Sequence, residues 1–92
     1  MMWVDGQASG DLPVSDRGLN YADGVFETMR IAAGSIPLLE MHLQRLQSGC
    51  ERLVITCPEL SLLRRELALA SVDTEAGVVK LVLTRGSGGR GY

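Results

Sequence analysis

One histidine and one arginine stand three residues apart in Leu38-Leu39-Glu40-Met41-His42-Leu43-Gln44-Arg45-Leu46. On a helix, residues at that spacing lie one above the other. An arginine held there is well made to grip a phosphate, because its guanidinium is always charged and offers a planar fork of donors. The competing explanation is a solvated arginine on an amphipathic helix. A second candidate is Arg85-Gly86-Ser87-Gly88-Gly89-Arg90-Gly91-Tyr92, with two arginines among four glycines. Glycines let a backbone approach an anionic ligand closely, and the arginines could hold a carboxylate. The loop is not a Walker loop, since it has no Gly-Lys-Ser/Thr, nor a dinucleotide fingerprint, since no helix or acidic residue follows. A third candidate, Tyr21 to Arg30, runs from a polar loop into a strand.

These residues need a scaffold, and the pattern supplies one. Leu39, Leu43, Leu46, Cys50 and Leu53 recur at spacings of four, three, four and three, which predicts a helix from Leu39 to about Val54 with one buried face. Proline suits a first helical position, so Pro58 predicts a second helix from Glu59 to about Ser71, striped by Leu60, Leu63, Leu67 and Ala70. Strands are expected near Trp3, over Val25–Ile31, near Ile36 and over Val78–Thr84. Turns are expected at Asp5-Gly6 and Ala33-Gly34. Pro37 restricts the Ile36 strand to an edge or an end. The nearly continuous apolar run Val78–Thr84 predicts a central strand covered by the helices on one face. The stretch from Val14 to Gly24 is rich in residues that bond to their own backbone, and it reads as a long irregular loop. Together these elements give an α+β fold: a small, mostly antiparallel sheet with two helices packed on one face. Glu27 and Arg30 are expected to form a structural ion pair, with no ligand role for either. His42 is as apt to brace its helix as to touch a ligand.

Composition narrows the function. Ninety-two residues make one small domain with a modest core. Nine basic and eleven acidic residues give a net charge of −2, which argues against a nucleic-acid footprint. No apolar run reaches the roughly 18–20 residues that span a membrane, and no signal peptide is visible, so a cytoplasmic location is expected. Cys50 and Cys57, with a single histidine, support neither a zinc site nor a disulfide framework. Cys50 lies on the apolar stripe and reads as a small core residue. The chain leaves a strong strand, enters the glycine-rich loop and stops, which is the pattern of a fragment or truncated product.

The order of these motifs resembles a known family. Val14-Ser15-Asp16-Arg17-Gly18 is followed by Tyr21-x-Asp23-Gly24-Val25-Phe26-Glu27-Thr28-x-Arg30, by His42-x-x-Arg45-Leu46 and by Leu83-Thr84-Arg85-Gly86. That order is similar to the N-terminal domain of fold-type IV pyridoxal-phosphate enzymes, which include branched-chain and D-amino-acid aminotransferases and aminodeoxychorismate lyases. Residues 85–92 and the stretch Arg45 to Leu53 look most like the lyase branch. The resemblance covers essentially this whole chain but about the first third of such an enzyme. It implies the fold above, pyridoxal 5'-phosphate as cofactor, aminodeoxychorismate as the small-molecule substrate, and a homodimer. It implies that Arg45 binds the cofactor phosphate, that Phe26 lines the substrate side or simply packs, and that Arg90 and Tyr92 help recognise a substrate carboxylate. The lysine that carries the cofactor in the family lies in a second domain. The one lysine here, Lys80, does not match it and reads as structural. The isolated chain is therefore expected to be inactive. An aminotransferase of the same fold and a non-catalytic fragment that binds ligands or a partner remain alternatives.

Overall fold

The computed structural model describes residues 2–8 and 10–87. Five elements follow in order: α1 (Arg17–Tyr21), β1 (Gly24–Ala32), α2 (Leu39–Leu53), α3 (Leu60–Ser71) and β2 (Ala76–Thr84). β1 and β2 pair antiparallel, from Gly24 opposite Thr84 to Ala32 opposite Ala76. The α+β class holds, with helices over one face of the sheet. Among the described residues the sheet has two strands rather than four. β2 therefore pairs on one side only, where its apolar run suggested a central strand. Its residues alternate between half-buried and exposed because the helices cover a single face.

Both of the lost strands are short for a local reason. Around Trp3 the chain makes one bridge, Val4 to Gln7, closed by a turn in which Asp5 and Gly6 have φ of 52° and 78°. After β1 the expected turn forms, with Ala33 at φ 50° and Gly34 at φ 77°. Left-handed residues at both centres match the twist of a two-residue hairpin. Glycine is required at 34 as well by space, since a Cβ there would sit 2.9 Å from the Val72 carbonyl oxygen. The return stops at one bridge, Ala32 to Ser35. Pro37 lacks a donor to extend it, and Ile36 turns into the core instead.

α2 matches its predicted span and buries Leu43, Leu46 and Cys50. Leu53 is half exposed, so the stripe ends one turn early. Burial, followed by the neighbouring Cys57, pushes the Cys50 thiol up to about 11, as suits an inert core cysteine. α3 starts at Leu60 with Glu59 as its cap residue, so Pro58 precedes the helix rather than opening it. The core joins Met29, Ile31, Ile36, Leu43, Leu46, Leu63 and Leu67, with Val79, Leu81 and Leu83 packed against it. Each fully buried apolar side chain contributes about 1.5–3 kcal/mol. Neither α2 nor α3 has a side-chain hydrogen bond at its N-cap, so packing on the sheet holds these helices in place. No helix among the described residues is long and apolar enough to cross a membrane.

Candidate functional site

Strand alternation decides which charges can meet. In β1, Glu27, Met29 and Ile31 point to the helix-covered face, while Phe26, Thr28 and Arg30 point away. Glu27 is thus a charged residue on an apolar face, and its side chain is only 7% exposed. α2 crosses that face and presents His42 and Arg45 one turn apart. Arg45 Nε donates to Glu27 Oε1 at 3.1 Å and Oε2 at 3.0 Å, and its Nη2 donates to Oε1 at 2.8 Å. His42 Nδ1 lies 2.6 Å from Oε1. The expected Glu27–Arg30 pair does not form, because residues three apart on a strand face opposite sides. Glu27 pairs across the fold instead. The Arg45 guanidinium holds the Glu27 carboxyl below the usual range; burial opposes this and His42 adds to it.

Arg45 is buried on one edge and open on the other. Its Nε and Nη2 are tied to Glu27, yet the side chain as a whole is 72% exposed. The Nη1 edge is left toward solvent, in a plane fixed by a buried carboxylate. This edge is what a phosphate or carboxylate would bind, since oxyanions accept paired donors from one edge of the fork. The donor chemistry therefore fits the phosphate of a pyridoxal-phosphate cofactor.

The other predicted residues lie elsewhere. Phe26 is 60% exposed on the face opposite Glu27, with Lys80 Nζ 4.7 Å from its ring centroid. That cation–π contact gives Lys80 a structural partner on the outer face. The fold thus brings Arg45 together with Glu27 and His42, but not with Phe26. Arg90 and Tyr92 lie outside the described residues. Sequence reasoning missed Glu27 as a site residue. The signal was present: it is the single charge among Val25, Glu27, Met29 and Ile31, on a face otherwise apolar.

A second cluster fastens the polar loop to the end of β2. Five residues of that loop, read as irregular, form the helix α1, because Asp16 caps it by accepting from Leu19 N–H at 3.1 Å. Thr84 Oγ1 donates to the same carboxylate at 2.7 Å. Asp23 Oδ2 accepts from Arg17 Nε and Arg85 Nε, both at 2.8 Å. Arg85, then Arg17, hold its carboxyl below the usual range, against a smaller effect of burial. Arg85 also donates to the carbonyls of Leu53 and Val54, capping the C-terminal end of α2. Gly18 packs against Thr84 so closely that a Cβ would stand 2.2 Å from Thr84 Cγ2.

The four sequence motifs thus meet in space as two clusters, one joining β1 to α2 through Glu27, His42 and Arg45, the other joining α1, the end of β2 and the C-terminal end of α2. Comparison with known proteins agrees with that arrangement. The chain is 50% identical to the crystal structure of 4-amino-4-deoxychorismate lyase from Pseudomonas aeruginosa, with a TM-score of 0.89 over 98% of this chain and 33% of that one. A PLP-bound hypothetical aminotransferase from Mycobacterium tuberculosis superposes with a TM-score of 0.81 at 30% identity, over 89% of this chain and 31% of that one. The aminodeoxychorismate lyase of Vibrio harveyi is 30% identical over 92 residues, all of this chain and 34% of that protein. The chain therefore spans about a third of the length of the relatives it matches. The profile of amino-transferase class IV matches residues 24–92, which take in β1, α2 and β2 with Glu27, His42 and Arg45. By this match, and by the motifs that its fold draws together, the chain belongs to the class IV aminotransferase family.

Proposed function

We propose that this chain is the N-terminal domain of a cytoplasmic aminodeoxychorismate lyase, which converts 4-amino-4-deoxychorismate to 4-aminobenzoate and pyruvate in folate biosynthesis. The observation that carries the reading is Arg45: a guanidinium held on one edge by a buried carboxylate and open on the other. In this reading that open edge binds the phosphate of pyridoxal 5'-phosphate. When bound, the cofactor supplies an electron sink for the elimination. Arg45 anchors it, and Glu27 and His42 hold Arg45. Phe26 lines the substrate side and Arg90 and Tyr92 meet a substrate carboxylate, as the family resemblance implies. A homodimer follows from the same resemblance. The lyase is preferred to an aminotransferase because the lyase neighbour is 50% identical, against 30% and 34% for two aminotransferase neighbours.

No proton transfer is assigned to Lys80. Its ammonium sits over Phe26 on the face away from Glu27. The isolated chain should accordingly show no lyase activity.

Titration with pyridoxal 5'-phosphate, followed by borohydride treatment and mass mapping, tests the site. Binding that needs the phosphate, leaves Lys80 unmodified and is lost in Arg45→Ala is the expected result. Equal binding by Arg45→Ala would sink the assignment. The reaction is tested by a chimera in which this chain replaces the matching third of the Pseudomonas aeruginosa lyase. Pyruvate release without an amino acceptor is expected; amino transfer to 2-oxoglutarate in its place would favour the aminotransferase.

A further inference from the structure

Glu27 sits where two physical effects on anion binding oppose each other. As a carboxylate beside Arg45, it offsets the charge that an anion would seek. As a two-point anchor, it fixes the plane of the guanidinium and the direction of its open edge. The distances favour the anchor. Both Glu27 oxygens accept from Arg45 at 3.0–3.1 Å, and a third bond of 2.8 Å completes a fork. His42 Nδ1, at 2.6 Å from Oε1, ties the carboxylate in turn to α2. The carboxylate is nearly buried, and Met29 and Ile31 on the same strand face sit in the core, so it has little room to turn. Arg45 is exposed and, without this brace, would sample many rotamers.

We propose that Glu27 is a positioning residue for oxyanion binding by Arg45, with His42 as its support, so that neutralising Glu27 weakens anion binding although it makes the site more positive. The proposal rests on Arg45 as the phosphate-binding arginine. Its consequence is a sign that charge alone cannot give. If Glu27 acted only through its charge, Glu27→Gln would tighten phosphate binding and Glu27→Asp would leave it unchanged. If Glu27 positions Arg45, both variants weaken binding: the first keeps the shape and loses the paired acceptors, the second keeps the charge and withdraws it by one methylene. Losing the rotamer freedom of a free arginine caps the effect at roughly 30-fold, and about fivefold weaker binding is expected for each variant.

The test is a titration of the 92-residue chain and its variants with inorganic phosphate and with pyridoxal 5'-phosphate. It is read from the Arg45 Nε–H resonance and from its exchange rate with solvent. In the native chain this proton should be protected by Glu27 and should shift on adding phosphate. Glu27→Gln and Glu27→Asp should lose the protection and bind about fivefold more weakly, with the circular dichroism of the helices retained. Tighter binding by Glu27→Gln, or unchanged binding by Glu27→Asp, overturns the proposal and leaves Arg45 as the phosphate residue. Should Glu27→Gln fail to fold, His42→Asn serves in its place; unaltered Arg45 protection and affinity in that variant would equally overturn the relay. Phosphate binding that survives Arg45→Ala overturns the parent reading and this proposal with it.

Discussion

Arg85 and Arg45 each meet a buried or half-buried carboxylate, and the two encounters differ in kind. Arg85 gives Nε to Asp23, Nη1 to the Val54 carbonyl and Nη2 to the Leu53 carbonyl. All three of its nitrogens hold the fold together. Arg45 gives Nε and Nη2 to the one carboxylate of Glu27 and leaves an edge toward solvent. Each carboxylate is held ionised by its arginine. What separates a structural arginine from a candidate ligand arginine is therefore the number of its edges that the protein closes. Arginine in a motif, or an ion pair in a structure, is not by itself a site.

The comparison can be broken from the structural side first. Gly18→Ala places a methyl against Thr84 and Asp16, so it should push α1 from the end of β2 and cost about 1–3 kcal/mol in a urea melt. Arg85→Ala removes the cap on the last carbonyls of α2; a loss of about 2 kcal/mol is expected from charge-assisted bonds of this type. Phosphate affinity of the folded Arg85→Ala chain should stay near native, while Arg45→Ala should lose it. Equal loss of affinity in both would erase the distinction drawn between them.

Acid sharpens it less strongly. Glu27 and Asp23 have carboxyls held below their ordinary values in the folded state. Such groups contribute stability that is complete above the unfolded value, about 4, and is lost as pH falls through the lower folded value. Melting temperature should therefore be flat down to about pH 4 and drop below it, with a shallower drop in Glu27→Gln. The smallest effect is expected at Glu40 and Arg64, a bidentate pair with bonds of 2.8 and 2.7 Å but with both side chains largely in water. Glu40→Gln should leave the melt unchanged, as exposed pairs generally do.

The sequence by itself determined what depends on neighbours along the chain. The apolar period from Leu39 to Cys50 specified α2 within a residue of its end, because buried positions on a helix repeat locally. Ala33-Gly34 specified its hairpin turn, and the ordered motifs specified the family. Tertiary structure alone decided what depends on how elements cross. Glu27 was legible as a charge on an apolar strand face, but its partners lie 15 and 18 residues away, and the docking of α2 on β1 selected them over nearby Arg30. Asp16 caps α1 through a bond to Leu19 N–H, three residues on, but the tie of the same carboxylate to Thr84, 68 residues on, was set by the fold. Periodicity carries the local choice of helix or strand; the pairing of charges is set by register between elements, which no single stretch of sequence encodes.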